Sequence, residues 1–575
     1  MSEKRPRRLA ALLSMALAAA LLLSACGGGK QDISAFQEKA ELLRREALAD
    51  WVRLELGDTP AGEAGHVVFL SVCDGRERAS VYSAAAKTLD EAWENAVFAA
   101  GAALEKSGLE PKWLKADLVY LSGSFSAQEL KDALDYSEKG FVYYGAALDS
   151  NFETALLEAE LNAASIYDYE NGGIDLDALN GYLKAAGREQ VRALPDTYRL
   201  FRTAGWICGE DYLVRRISAS GLDYGRRIVE TVDRETAAPM IRTAAAWIAA
   251  QQQKDGGIPV QAGGNVDPAV HARALSALLR AYRLEPSEDL EEAIRRAAVY
   301  LADKTVYDSL GRAFLPSGEE ITLEAGALAS AALAEYEALF QDGKNLEVCR
   351  ALGNGVLAML NRTSGQFVHV MDGNFHPVTA SRGPGYDGAA VYALCRLYSL
   401  TGEAEYLDAA RTAADFLISA GTGSGDSRTA LAVNELSKCV PDNASYYVFA
   451  LENAQKNLEA IYGLDTASPG GLVVLMSAYE AYDRMTGYGG SAEGFYLEPL
   501  LRTISARAQR QLDGYLFPEY AMYREDPGGV LGAFMTREDG LSVRTAQVCE
   551  NIEGYNLYCA NYENLLADGL LEAGE

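Results

Sequence analysis

The 575-residue sequence predicts a mainly α fold, in which six helical hairpins close into a double ring behind a small α+β domain. Three observations predict it. A glycine-containing turn recurs along residues 236–575, the helices on its two sides differ in texture, and the residues ahead of it carry short β-rich runs.

The turn follows a polar-ended helix and precedes an apolar residue. Its copies are Gln253-Lys254-Asp255-Gly256-Gly257-Ile258, Ser309-Leu310-Gly311-Arg312-Ala313-Phe314, Thr363-Ser364-Gly365-Gln366-Phe367 and Asp513-Gly514-Tyr515-Leu516-Phe517. The closing apolar residues lie 56, 53 and 150 residues apart, and glycine-rich breaks at 421–425 and 469–471 stand where two further copies belong. Six units of about 50 residues are the signature of a repeat architecture. The helix before each turn is amphipathic: Leu290, Ala293, Ile294, Ala297 and Leu301 share a face that Glu291, Glu292, Arg295 and Arg296 avoid. Tyr406, Ala410, Ala413 and Leu417 repeat the pattern. The helix after the turn is apolar on most sides, as in Ala274-Leu275-Ser276-Ala277-Leu278-Leu279 and Leu472-Val473-Val474-Leu475-Met476. Such helices are buried ones. Alternating exposed and buried helices, six of each, describe inner helices around an axis with outer helices around them.

Ahead of the ring, residues 67–72 and 79–82 are β-rich and are joined through Asp74-Gly75, a hairpin signal. Thr88-Leu89-Asp90-Glu91 has the form of a capping box and opens a helix to about Lys106. A strand near 116–121, an extended piece at 140–145 and a helix at 152–164 complete an α+β domain over 62–170. Residues 27–61 are expected as a tether and an amphipathic helix, and residues 171–235 as a helical connector.

The N-terminus carries an address. Lys4, Arg5, Arg7 and Arg8 precede an apolar run from Leu9 to Leu23 interrupted only by Ser14, and Leu23-Ser24-Ala25-Cys26 closes it. This is the charged, apolar and small-residue sequence of a secretory signal, in the form that places a lipid on Cys26. Residues 1–26 are thus expected to be an export segment, and the mature chain to sit outside the cytoplasm on a membrane, held by that lipid. A run of about 15 apolar residues is short of the roughly 20 that span a bilayer. The formal net charge of −29 repels nucleic acid, which is excluded as a partner. The seven other cysteines, Cys73, Cys208, Cys349, Cys395, Cys439, Cys549 and Cys559, are odd in number and form no CxxC pair. They read as core thiols rather than a disulfide framework or a zinc site. No metal and no cofactor is implied.

One phrase resembles a known architecture. Gly385-Tyr386-Asp387-Gly388-Ala389-Ala390-Val391-Tyr392-Ala393-Leu394, followed by residues 401–410 beginning Thr401-Gly402-Glu403, is similar to the inner-helix, turn, outer-helix phrase of the (α/α)6 toroid of six-hairpin enzymes. These include unsaturated glucuronyl hydrolases and N-acylglucosamine epimerases. The resemblance implies the ring and a ligand site at its mouth, where inner helices begin. It does not imply a reaction.

Polar residues at those helix starts are therefore the candidates. Glu324, Asp387, Glu550 and Glu553 are the candidate catalytic carboxylates, and His271, Arg382, Tyr386 and Arg544 the candidate binding residues. Two carboxylates from different helices facing across a cavity are what glycoside hydrolysis needs. Structural roles compete with this: Glu324 suits a helix N-terminus through the dipole, Asp387 suits an N-cap, and His271 suits a hydrogen-bonded wall. Converging helix N-termini favour an acidic glycan. Gln252-Gln253-Lys254-Asp255-Gly256-Gly257 resembles a turn of terpene cyclases, but no Asp-x-Asp-Asp motif accompanies it. Two functions remain: a membrane-anchored protein acting on envelope or environmental glycans as hydrolase, lyase or epimerase, or a non-catalytic binding lipoprotein of envelope maintenance. An epimerase would want two histidines at the mouth. On location, palmitate label is expected to enter the wild-type protein in cells and to be lost in Cys26→Ala. Label and membrane fractionation retained in that variant would contradict the lipid anchor.

Overall fold

The computed structural model describes residues 32–53, 61–135, 141–168, 172–219, 223–378, 381–421, 423, 425–464, 469–491, 493–536 and 541–570. Cys26 and the export segment lie outside the described residues. No helix among the described residues is long and apolar enough to cross a membrane.

The N-terminal domain is a sheet of seven antiparallel strands. Its order is β2 (Ser80–Ala86), β1 (His66–Cys73), β3 (Trp113–Ser126), β6 (Thr197–Cys208), β4 (Gly145–Ala147), β5 (Ala155–Leu156), with β7 (Val214–Arg216) on the free part of β6. The β1–β2 hairpin turns at Gly75, whose φ is +79°. Helix α1 (Ser34–Arg53) presents Phe36, Ala40, Leu43, Ala47 and Trp51, three and four residues apart, to the sheet. Helix α2 (Leu89–Ser107) adds Trp93, Ala96, Ala100 and Leu104 to the same core, and the Thr88 side chain accepts the Glu91 N–H at its start.

Two expectations change here. Residues 152–164 are not one helix: β5 precedes a short helix at Glu158–Ala163. Residues 171–235 are not a helical connector either. After α3 (Leu176–Ala185) they supply β6 and β7, and β6 pairs along β3 from Thr197 to Cys208. The second half of β6 is buried on both faces, so it lacks the alternation by which a half-buried strand is read from sequence.

The ring holds twelve helices. The outer ones are α4 (Arg234–Ala250), α6 (Glu288–Asp303), α8 (Leu346–Ala358), α10 (Ala404–Ala420), α12 (Ala444–Gly463) and α14 (Leu497–Gln511). The inner ones are α5 (Pro268–Leu284), α7 (Leu323–Phe340), α9 (Tyr386–Thr401), α11 (Ser427–Cys439), α13 (Gly470–Gly487) and α15 (Thr545–Ala567). Each inner helix packs against the next, and α15 closes on α5. The architecture is an (α/α)6 toroid behind a small α+β domain. The recurring turns join outer to inner helices: Gly365 has φ +76°, and a Cβ there would come within 2.5 Å of the Thr412 carbonyl oxygen. Inner helices approach closely enough that a Cβ on Gly388 of α9 would meet the Thr429 backbone nitrogen of α11 at 2.6 Å.

The segment between α14 and α15 leaves the ring and enters the N-terminal domain. Met522 and Tyr523 join a core cluster with Phe69, Trp113 and Phe201, and the Tyr523 and Ser71 hydroxyls lie 2.8 Å apart. Buried ion pairs fasten the joint, Arg226 to Asp513 and Arg227 to Glu519, each at 2.7 Å. Beside it, Lys115 pairs with Asp117 at 2.7 Å, both 1% exposed. Glu158 and Glu160 are buried nearby, so three carboxylates share the neighbourhood of one ammonium. Burial raises the Glu158 carboxyl from the ordinary 4.5 to about 7, Lys115 opposing and Asp117 adding to the rise. The folded state therefore holds this proton more tightly than the unfolded chain does. Its stabilising contribution is full below pH 4.5 and is lost as pH rises through about 7. Glu158→Gln is expected to remove that decline and to stabilise the protein at pH 8 by up to about 3 kcal/mol, read from urea unfolding across pH. An unchanged pH profile would contradict the assignment.

Candidate functional site

An inner helix of the ring is covered by neighbours on every side but one. The uncovered stripe faces the axis, and there the sequence turns polar. On α5 it reads Arg273, Ser276, Arg280; on α7, Glu324, Leu328, Ala331, Glu335. On α9 it reads Ala389, Tyr392, Arg396; on α11, Ser427, Arg428, Leu431, Glu435; on α15, Cys549, Glu550, Glu553. Intervals of three and four, with adjacent pairs at Ser427/Arg428 and Cys549/Glu550, keep each set on one face. Arg273, Arg280, Tyr392, Ser427, Arg428, Glu550 and Glu553 are among the residues that line a cavity on the axis, in the half of the ring where inner helices start. Its water-accessible volume is about 50 Å³, and the apolar Leu328, Ala331, Ala389 and Leu431 are also in its lining.

The polar groups form two layers. In the upper one, Glu324 takes Arg273 at 3.1 Å and also the Arg428 guanidinium. Glu550 accepts the Ser427 hydroxyl at 2.5 Å. Ser427 and Arg428, consecutive at the start of α11, thus reach one carboxylate on α15 and another on α7. The Asp426 side chain caps that helix by accepting the Thr429 N–H at 2.7 Å, which fixes where both residues point. In the lower layer Arg280 is the hub, 2.8 Å from Glu553 and 3.3 Å from Glu335. The Tyr392 hydroxyl donates to Glu335 at 2.7 Å. Arg396 pairs with Glu435 at 2.9 Å, and Lys438 bridges Glu435 to Glu480 of α13 at 3.2 Å each. Polar contacts therefore link all six inner helices.

Burial sets the carboxyl groups apart. It raises Glu324 and Glu553, with Arg273 and Arg280 respectively pulling the other way. Burial acts on Glu335 too, but there Arg280, Arg396 and the Tyr392 hydroxyl prevail and hold it below the usual range. Glu335 is a fixed anion.

The structure brings some sequence candidates together and separates others. Glu550 and Glu553 line the cavity, and Glu324 is held by two arginines that do. Tyr386 is hydrogen-bonded to Glu324 and so belongs to the same upper layer. His271 does not reach the cavity. Its Nδ1 accepts the Ile258 N–H at 2.9 Å, its Nε2 donates to the Ala297 carbonyl at 3.0 Å, and it is 0% exposed. Burial lowers it to about 4, so it is a neutral wall residue that ties the first turn to α6. Asp387 is not the cap of α9, a place taken by Gly385. Its carboxylate lies 3.0 Å from both His369 and Arg382, and neither it nor Arg382 lines the cavity. His369 in turn accepts the Gly383 N–H at 2.9 Å, so this trio holds the loop that enters α9. Arg544, just before α15, is exposed and lies outside the lining.

The sequence reading missed Arg273, Arg280, Arg428, Tyr392, Ser427 and Glu335. The signal was present: Arg273 and Arg280, seven residues apart and so on one face, interrupt a largely apolar inner helix. Among the described residues no group of three or more His, Cys, Asp or Glu side chains is placed to hold a metal ion.

No family model matches the chain, and no curated protein does. Solved structures similar to it include cellobiose 2-epimerase from Bacillus thermoamylovorans, at 14% identity over 56% of this chain and 99% of that one, TM-score 0.44. Cellobiose 2-epimerase from Spirochaeta thermophila is 15% identical over 59% and 99%, TM-score 0.43. An α-1,6-mannanase from a Salegentibacter species is 13% identical over 57% and 99%, TM-score 0.41. At this distance the chemistry of the site has to come from the chain's own residues.

The two layers should respond differently to substitution. Arg280→Met strands two carboxylates and is expected to destabilise the fold by about 3–5 kcal/mol. Glu550→Gln, whose carboxylate has a hydroxyl partner, should change stability by less than about 1 kcal/mol. Chemical denaturation checks both, and equal losses would contradict the division into a structural and an available layer.

Proposed function

We propose that the ring binds a glycan in the axial cavity and acts on it through Glu550 and Glu324. The reading rests on one observation above others. Two consecutive residues draw together carboxylates from two different inner helices: Ser427 holds Glu550 and Arg428 holds Glu324, and Ser427, Arg428 and Glu550 line the cavity. A sugar ring has a hydroxyl rim and apolar C–H faces. The cavity offers both kinds of surface: apolar Leu328, Ala331, Ala389 and Leu431, and polar Arg273, Arg280, Arg428, Ser276 and Ser427. The three arginines there are ion-paired with Glu324, Glu553 and Glu335, so no excess positive charge selects an acid. A neutral glycan is the expected ligand, in place of the acidic one that helix termini alone suggest.

The reaction these groups suit is hydrolysis. Burial raises Glu324, which favours its keeping a proton to give to the leaving oxygen. Glu550 has a hydroxyl rather than a guanidinium as its partner, which leaves it available as base or nucleophile. Epimerisation by paired histidines is disfavoured, since neither His271 nor His369 lines the cavity. The second reading is a binding lipoprotein without turnover. The two arginines on Glu324 favour it, because they occupy the carboxylate that would act as acid. In either reading the protein works outside the cytoplasm, anchored through lipid on Cys26, and nucleic acid is no partner.

A panel of neutral and uronic-acid oligosaccharides, read by calorimetry and by release of reducing ends, tests this. Turnover that falls at least ~100-fold in both Glu550→Gln and Glu324→Gln, with binding kept, is the expected result. Binding without turnover in the wild type would establish the scaffold reading. Neither binding nor turnover across the panel would overturn both.

A further inference from the structure

Away from the cavity, two thiols meet between neighbouring inner helices. Cys439 is the last residue of α11, and Cys395 lies in the second half of α9. Ser399 of α9 lies between them, its hydroxyl donating to the Cys395 carbonyl at 3.0 Å. The Cys439 Sγ lies 3.7 Å from the Ser399 Oγ, one helical turn beyond Cys395 on the same face of α9. Both cysteines are free in the structure. We propose that Cys439 and Cys395 are a nucleophile and resolving pair, which closes reversibly into a disulfide stapling two adjacent inner helices of the ring.

The pair has the asymmetry such chemistry requires. Among the described cysteines Cys439 alone is not buried, while Cys73, Cys208, Cys349, Cys395, Cys549 and Cys559 all are. The thiolate is the attacking species, and a thiol attacks best when its pKa lies near ambient pH. The Cys395 thiol, and then the Ser399 hydroxyl, bring Cys439 down to about 7 against the effect of burial. Arg396 supports that shift and Glu435 opposes it, and these are the charged groups facing the thiol from α9 and α11. Burial pushes Cys395 far above the ordinary thiol range, the neighbouring Cys439 adding to the rise, so it stays protonated until its partner has reacted. The other five described thiols are raised as well, burial being the main cause for each. Cys439 is therefore the one described thiol that is both open to a reagent and ionised near neutrality.

The oxidant is a small disulfide. The Cys439 thiolate attacks one of its sulfurs, the disulfide bond breaks, and one thiolate leaves with the electron pair. Cys395 then gives up its proton to that thiolate and attacks the Cys439 Sγ, which expels the second thiolate. The protein gains one disulfide, the oxidant loses one, and two small thiols carry away the protons of Cys395 and Cys439. Closing a bond of about 2 Å needs the two sulfurs to approach further. Cys439 can move, because the backbone leaves the helical conformation at the next residue, Val440.

The test uses the folded full chain with oxidised glutathione, read by intact mass, peptide mapping and alkylation. In the wild type the mass should fall by two hydrogens, and a peptide joining Cys395 to Cys439 should appear. Iodoacetamide should label native protein at Cys439 alone, half-maximally near pH 7, and prior oxidation should block that label. Cys395→Ala should stop at a stable glutathione adduct on Cys439, and Cys439→Ser should form neither adduct nor disulfide. A wild type that remains unmodified or holds a lasting glutathione adduct would overturn the proposal. So would a labelling midpoint at the ordinary thiol value of about 8.5, a reading that needs no variant to fold.

Discussion

Everything in the ring depends on how its axis is filled. Six helices closed around a line bury their sides against each other with small residues, and Gly388 of α9 leaves no room for a Cβ against α11. The stripe facing the axis has no helix opposite it, only five other stripes at a distance. Short apolar side chains would leave a void there, and voids forfeit the dispersion contacts that hold a core. Long side chains that reach across meet the need, and in this chain they are arginine, glutamate and tyrosine. Arg280 spans from α5 to Glu335 on α7 and Glu553 on α15.

This choice explains the site's position as well as the ring's closure. A buried ion pair adds little net stability over well-packed apolar residues, yet breaking one costs several kcal/mol because the remaining charge is stranded. The axial network therefore contributes specificity of register more than strength, since each inner helix must present its charge at the right height. Where the network stops, towards the starts of the inner helices, the space it no longer fills is the cavity. The cavity and its polar lining have the same origin.

How much of this could be read from the sequence follows from what each signal measures. The ring was legible because four of its six turns place a glycine at positive φ and its outer helices carry a clean apolar stripe, as Leu290, Ile294 and Leu301 do. The pairing along β6 was not, because a strand buried on both faces has no alternation. Of the site, Glu550 and Glu553 stood out as charges in an apolar helix. The arginines that share their cavity were as visible in kind, but Arg273 and Arg280 come some 280 residues earlier in the chain, and only closure of α15 on α5 brings them together. His271 misled for the opposite reason. A histidine near an inner-helix start fits the mouth by position, and nothing in the sequence shows which way its ring faces.

Counting the partners of each carboxylate separates structure from chemistry here. Glu335 has Arg280 and Tyr392 in contact and the charge of Arg396 nearby, and it is a fixed anion. Asp387 has Arg382 and His369, and it holds a loop. Glu553 shares Arg280 with Glu335 and stands between the two layers. Glu550 has the Ser427 hydroxyl and sits against Gly470 at the start of α13, where a Cβ would come within 3.1 Å of its oxygen. Glycine at that position keeps the space beside the carboxylate clear. An anion kept within reach of a helix N-terminus, without a guanidinium to neutralise it, can still accept a proton or a bond from something that enters. That availability, more than the number of acids around the axis, makes Glu550 the residue on which a chemical role for the ring turns.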